Sequence, residues 1–250
     1  PKMKKIYVFI IMGIVVLFLF MKFYEEFKVK NTFKDEQSSI FAKAILNQDL
    51  KLMQQMKING TNINYVGENY VTPLVFAYLN RKKQSFEELL KLNANPNIYL
   101  NDSKTKSLIY KIIKDNKLEY LDLLIKNNAD LNLLHRVGHR PLCYAFDENN
   151  FKIVDLLLKN GAKANLADEF NKTVFTYLLV FNHYEKANYL LSLGVNVYAE
   201  SNDAVKSFVV YLVNISEKTM TKSTSSFQEL QRCKEMLEKQ GFNFSEKPLR

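Results

Sequence analysis

Cysteine, histidine, proline and glycine are all scarce in this 250-residue chain, at two, three, five and seven residues. Two cysteines are too few for a disulfide scaffold or a structural zinc site. Three histidines leave little material for a multi-histidine catalytic metal centre. So little glycine and proline excludes a low-complexity chain. Also missing are a glycine-rich phosphate loop, a Gly-x-Ser-x-Gly element and paired carboxylates in a pocket-forming context. The sequence therefore argues against an enzyme and calls for no cofactor or metal. What is present is ordinary globular composition, 47% apolar and 24% charged, in a chain long enough to bury a core.

Thirty-five basic residues against 26 acidic ones give a net charge of +9. The excess is spread out: residues 1–38 hold seven Lys against four acids, 39–199 hold 20 basic against 15 acidic, and 200–250 hold eight against seven. The densest stretches, Arg81 to Lys83 and Lys104 to Lys117, contain or adjoin acids. A nucleic-acid binder concentrates its basic residues in a stripe with aromatics placed for stacking. Solvated helix faces account for most of these charges instead.

Long apolar runs are absent except at the amino end. Ile6 to Met21 is 16 residues without a charge, preceded by Lys2, Lys4 and Lys5. At about 1.5 Å per residue it spans roughly 24 Å, slightly less than a bilayer core of about 30 Å. Lys22, Phe23 and Tyr24 extend it by snorkelling and interfacial anchoring. No small-x-small cleavage site follows, since the first alanine is Ala42, and no cysteine follows for lipidation. The pattern predicts an uncleaved signal anchor over 1–21, with a cleaved signal peptide or a buried core helix as alternatives. Lysines balance on the two sides, so the expected orientation rests on the short basic tail staying inside and the remaining chain crossing. Residues 22–38 are expected to be a linker or a short capping helix.

The chain repeats. Ser39, Thr72, Ser107, Arg140 and Thr173 are spaced 33, 35, 33 and 33 residues apart. Two positions after these anchors stand Phe41, Leu74, Ile109, Leu142 and Phe175; five after stand Ala44, Ala77, Ile112, Ala145 and Leu178. These pairs fall on one face of a first helix. Positions 14 and 17 after the anchors do the same for a second: Met53, Phe86, Leu121, Val154 and Ala187, then Met56, Leu89, Leu124, Leu157 and Leu190. At position 21 stand Gly60, Asn93, Asn128, Gly161 and Gly194, residues that tolerate the left-handed conformation ending a helix. At position 25 stand Asn64, Asn97, Asn132, Asn165 and Tyr198, where a short amide can bridge backbone groups in the turn. Each unit reads as two antiparallel helices and an extended turn. A sixth, atypical unit over 200–250 is expected from Ser207–Ile215 and Gln228–Gln240 as helices, with Ser216–Ser226 as an inserted loop.

These columns resemble the ankyrin-repeat family. The resemblance is carried by Thr72-Pro73-Leu74 with Ala77, by Leu89-Leu90 and Asn93 to Asn97, by Arg140-Pro141-Leu142 with Ala145, and by Gly161-Ala162 with Asn165. It covers 39–199. The histidine of the family's Thr-Pro-Leu-His element is replaced by Ala42, Val75, Tyr110, Cys143 and Thr176, which puts some inter-turn hydrogen bonds in doubt. The resemblance implies an all-α ankyrin-repeat solenoid of about six helix-turn-helix repeats behind a transmembrane signal anchor.

It also implies a concave surface, built from the turns and first helices, that binds a protein. Positions just before each anchor, and seven or eight after it, are expected on that surface. They are Glu68, Asn69 and Leu79; Arg136, His139, Asp147 and Glu148; and Glu169, Phe170, Val180 and Phe181. Apolar Phe170, Val180 and Phe181 suit the centre of an interface, with Phe181 packing on the next repeat as the other reading. His135 and His139, flanking Gly138 in a turn with no Glu between them, read as surface contacts; His183 reads as a solvated turn residue. Cys143 and Cys233 read as buried thiols beyond disulfide reach.

Lys-, Asn- and Ile-rich usage with one short anchor looks bacterial. Small membrane-tethered ankyrin proteins of bacteria resemble immunity proteins that neutralise toxin effectors, including secreted phospholipases. That analogy implies stoichiometric occlusion of a toxin with an acidic surface, at the inner membrane, with the repeats in the periplasm. A membrane-anchored scaffold for an envelope or cytoplasmic complex is the alternative, and a host-directed effector a third. Neither nucleic acid nor a small-molecule substrate is expected.

Overall fold

The computed structural model describes residues 14, 16, 17, 20, 21, 23–103, 106–134, 139–168, 172–197 and 203–245. The described residues form helices and turns. A helix over residues 23–32 (α1) is followed by Glu36–Asn47 (α2), Leu50–Ile58 (α3), Pro73–Leu79 (α4), Lys83–Lys91 (α5), Leu108–Lys114 (α6) and Leu118–Lys126 (α7). Then come Pro141–Asp147 (α8), Phe151–Lys159 (α9), Val174–Val180 (α10), Tyr184–Ser192 (α11), Asp203–Thr219 (α12) and Ser225–Lys239 (α13). From α2 onward they run as consecutive short pairs, one per repeat. The chain divides into two compact units, one of residues 1–102 with 122–128 and the other of 103–121 with 129–250.

The apolar columns are the core. Met53, Phe86, Leu121, Val154 and Ala187 are all 0% exposed, as are Leu89, Leu124, Leu157 and Leu190 three residues later. Met56 is only half-buried, so α3 is the least buried of the second helices. Each fully buried large side chain contributes about 1.5–3 kcal/mol, which short helices of seven to nine residues need because they are marginal alone.

Two columns of left-handed residues turn the chain. Gly60, Asn93, Asn128, Gly161 and Gly194 have φ of 90, 68, 60, 95 and 75°. After Asn93 and Gly161 the next amide closes back onto the helix, from Ala94 N to Leu89 O at 2.8 Å and from Ala162 N to Leu157 O at 2.9 Å. The second column lies nine residues after each anchor and the sequence reading did not single it out. Gln48, Arg81, Asn116, Asn149 and Asn182 all have φ between 52 and 57° there, between the two helices of each pair.

The anchors begin first helices. Thr72 Oγ1 accepts from Val75 N at 3.3 Å, and Thr173 and Thr176 cap each other reciprocally. Pro73 and Pro141 occupy the first turn, where no amide hydrogen is needed. The first repeat differs: α2 starts before Ser39, capped by Asp35, and Ser39 Oγ donates to Phe33 O at 2.7 Å.

The asparagine column works differently from the expectation. Asn64 Oδ1 accepts from Asn95 N, and Asn132 Oδ1 from Lys163 N, both at 2.8 Å, so the amide ties its own turn to the turn of the next repeat. Asn165 Nδ2 likewise donates to Asn196 O at 3.2 Å. Bridging inside the turn falls to residues two positions earlier: Asn62, Asn95 and Asp130 accept from the amides of Asn64, Asn97 and Asn132.

Residues 22–38, open between linker and cap in the sequence, contain a packed cap. Val29 and Phe33 are buried, Phe33 meets the Phe76 ring edge-on at 5.3 Å, and Lys28 Nζ donates to Asn80 Oδ1 at 2.7 Å. Gly67 is required by this docking, because a Cβ there would stand 2.4 Å from the carbonyl oxygen of Thr32. The expected loop Ser216–Ser226 is mostly helix, with only 220–224 outside α12 and α13. Ser216 is buried, and the Glu217 carboxylate accepts from Gln231 at 3.1 Å and Lys234 at 2.8 Å on the partner helix. Those contacts extend α12 through a segment whose polarity suggested a loop.

No helix among the described residues is long and apolar enough to cross a membrane. Most of the anchor expected over Ile6 to Met21 lies outside the described residues. Of its described members, Ile14, Val16, Leu17, Phe20 and Met21 are helical and 56–66% exposed.

Candidate protein-binding face

In the first unit, α4 ends with Leu79 exposed, and a 3-10 turn over Glu68–Tyr70 carries Glu68 and Asn69. Asn69 and Tyr70 are left-handed there, at φ of 56 and 60°. Glu68 is paired to Lys34 at 2.6 Å, which ties this turn to the segment joining α1 to α2. Both side chains are well exposed, so the pair orients the turn more than it stabilises it.

The second unit brings aromatic side chains together across repeats. Tyr110 and Tyr144 pack edge-to-face at 4.5 Å, and the Tyr110 hydroxyl donates to the carbonyl of His139. This bond is made from the position where the family pattern has histidine, so Tyr110 supplies a link between repeats there. His139 meets Tyr177 edge-on at 4.8 Å, Tyr177 packs on Phe181 at 4.8 Å, and Phe181 stacks near His183 at 6.2 Å. The Tyr177 hydroxyl donates to Asp147 Oδ1 at 2.9 Å. Partial burial, then the carboxylate beside it, push the Tyr177 phenol well above its ordinary pKa. Partial burial and Lys186 hold the His183 imidazole below its ordinary value.

Arg140 anchors this face from beneath. It takes the position held by Ser or Thr in the other repeats and is only 8% exposed. Its guanidinium donates to Asn132 O at 2.5 Å and to Ala167 O at 3.2 Å, carbonyls of two successive turns. These bonds satisfy a charge that would be costly to bury alone.

The expected residues distribute as follows. Val180 and Phe181 are exposed, Phe181 at 55%, beside exposed Asp147 and Glu148 and half-buried His139. Phe181 makes its ring contacts with Tyr177 and His183 of its own repeat and leaves more than half of its surface exposed. Arg136, Glu169 and Phe170 lie outside the described residues. Missed by the sequence reading were Tyr110, Tyr144 and Tyr177. Tyr144 and Tyr177 stand 33 residues apart, both fourth after their anchors, where the third repeat has Lys111. The full column reads Lys43, Phe76, Lys111, Tyr144 and Tyr177, and because Phe76 is a buried core residue the aromatics there gave no distinct signal. Cys143 and Cys233 are free and buried, and burial pushes both thiols up to about 12.

The comparisons with known proteins agree with this architecture. The family described as ankyrin repeats, in three copies, matches residues 108–201. Over 107 residues, 42% of this chain, the sequence is 26% identical to an ankyrin repeat protein of Fowlpox virus (strain NVSL). The matched segment spans 18% of that viral protein's length. The left-handed columns, the helix pairs and the capped turns continue the same pattern on the amino-terminal side of the matched residues, and the longer pair α12 and α13 follows on the other. Residues 108–201 thus match the ankyrin-repeat family, whose repeats serve as protein–protein interaction modules.

Proposed function

We propose that this chain is a membrane-tethered protein-binding module that acts by covering its partner stoichiometrically. The observation that carries the reading is the aromatic pair Tyr177 and Phe181 with His139 and Asp147, four residues outside the buried core of which Phe181 and Asp147 are exposed. Exposed aromatics beside carboxylates supply the centre and rim of an interface. The partner we favour is a toxin effector, neutralised as in the immunity proteins the sequence resembles, with the repeats outside the cytoplasm. The net charge of +9 draws an acidic partner in at long range. The contact patch itself presents Asp147 and Glu148, so its local complement is a basic or donor-rich side chain.

The test uses the full chain in detergent as bait, beside a Tyr177→Ala/Phe181→Ala variant. One protein captured at equimolar ratio by the first and lost from the second supports the binding face. Inhibition of that protein's activity at one-to-one ratio supports neutralisation. Equal capture by both baits overturns the face, and a captured partner whose activity is unaffected favours a scaffold.

A further inference from the structure

Phe20, Phe23, Tyr24 and Phe27 are 66, 68, 57 and 58% exposed. They stand at i, i+3, i+4 and i+7, so they form one stripe along a helix. The side of α1 that carries buried Val29, with Lys28 reaching Asn80, is turned to the repeats, and the aromatic stripe occupies another side. Four large aromatics held in water serve no packing purpose within the first unit. Before them the described apolar residues Ile14, Val16 and Leu17 are helical and 60–63% exposed. Exposed apolar helical residues suit lipid, and a one-sided aromatic stripe after them suits the layer between lipid and water. From Phe20 to Phe27 the stripe rises about 10 Å, comparable to an interfacial layer of roughly 5–8 Å.

We infer that Phe20, Phe23, Tyr24 and Phe27 form a collar seated in the headgroup layer of a bilayer, and that α1 mounts the first repeats directly on the membrane surface. The inference rests on the tethered reading above. It adds that no free linker separates anchor from repeats: Val29 and Phe33 are buried, Lys28 is bonded to Asn80, and Gly67 closes on Thr32. The lipid-facing collar and the repeat-facing docking side are two faces of one helix.

The chain contains no tryptophan, so one introduced indole is a unique reporter. Phe27→Trp and, as a solvent reference on exposed Tyr211 of α12, Tyr211→Trp are made in the full chain. Both are reconstituted into phosphatidylcholine–phosphatidylglycerol vesicles with bromine on the lipid near the headgroup. The expected result is a blue-shifted, strongly quenched emission from the Phe27→Trp variant and an unquenched, water-like emission from the reference. Vesicle-bound Phe27→Trp protein with a water-like, unquenched indole overturns the collar while leaving the tether standing. Failure of the chain to associate with vesicles overturns both. A blue shift that needs no lipid and grows with protein concentration assigns the stripe to a second copy, and overturns the collar.

Discussion

Tyr177 reaches back across a repeat boundary to Asp147, the last residue of the preceding repeat's first helix, with 2.9 Å between hydroxyl and carboxylate. The bond joins two repeats beside the edge-on contact of His139 with the same ring. Tyr177→Phe and Asp147→Asn should each destabilise the fold by less than about 1.5 kcal/mol, and a double-mutant cycle in urea should return a coupling of about 0.5–1.5 kcal/mol. Strict additivity of the two changes would mean that the bond contributes nothing in solution.

Phe181→Ala separates binding from folding. With 55% of the side chain exposed, its loss should shift the melting temperature by only a few degrees. Affinity for the partner should fall at least about tenfold if this ring sits at the interface centre. Titration calorimetry beside a thermal melt reads both. An unchanged affinity would remove Phe181 from the face.

Gly161 is left-handed at φ 95°, and no atom lies within 4 Å of the place its Cβ would take. Its requirement is therefore conformational rather than steric. Gly161→Ala should cost about 1–2 kcal/mol, and Gly161→Asn, the residue two other repeats use in this column, clearly less. Chemical denaturation of the two variants decides it; equal costs would show that the column does not select for left-handed tolerance.

Arg140→Ala removes a buried guanidinium and strands the carbonyls of Asn132 and Ala167. A loss of about 2–4 kcal/mol is expected, combining those unmet acceptors with lost side-chain packing. Arg140→Lys should recover only part, since one ammonium cannot reproduce a forked donor. Full recovery by lysine in a urea titration would argue that charge alone matters.

The two thiols give a pH dependence of known sign. Burial raises both to about 12, above their ordinary value of 9, so the folded state holds these protons more tightly than the unfolded state. Their contribution is complete below about pH 8.5 and disappears as pH climbs toward 12, at about 1.4 kcal/mol per pH unit for each thiol. Cys143→Ala/Cys233→Ala should start less stable at pH 7 and lose stability less steeply from pH 9 upward, measured by urea titration. Native protein at pH 8 should resist alkylation until denatured. Rapid labelling of either thiol in the folded chain would contradict its burial.

The repeat was legible because its constraints are local and periodic. Met53, Phe86, Leu121, Val154 and Ala187 share nothing but a slot, yet all are fully buried. Gly60 and Asn93 announced a backbone conformation that few residues accept. Arg81 and Gln48 announced nothing, because arginine and glutamine in a left-handed turn are tolerated by the surrounding helices rather than preferred. The asparagines were recognised as turn residues, but their partners lie some 31 residues on, a distance that propensity cannot see. Leu79, Val180 and Phe181 were placed on the exposed face by position alone. Tyr177 escaped because one tyrosine at a helix position is equally a core residue until its neighbours are known. Continuation of α12 through Thr219 depended on Glu217 finding Lys234, a tertiary contact.

The amides that link one turn to the next have a mechanical meaning. Within each unit the turn side is pinned by directional bonds such as Asn64 to Asn95 and Asn132 to Lys163. The helix side adds directional bonds of its own, from Ser85 Oγ to Ile45 O at 2.8 Å in the first unit and from the Tyr177 hydroxyl to Asp147 at 2.9 Å in the second. Neighbouring repeats within a unit are therefore held at both ends. A pull on one helix pair should be handed to the next as a whole rather than absorbed by splaying between them.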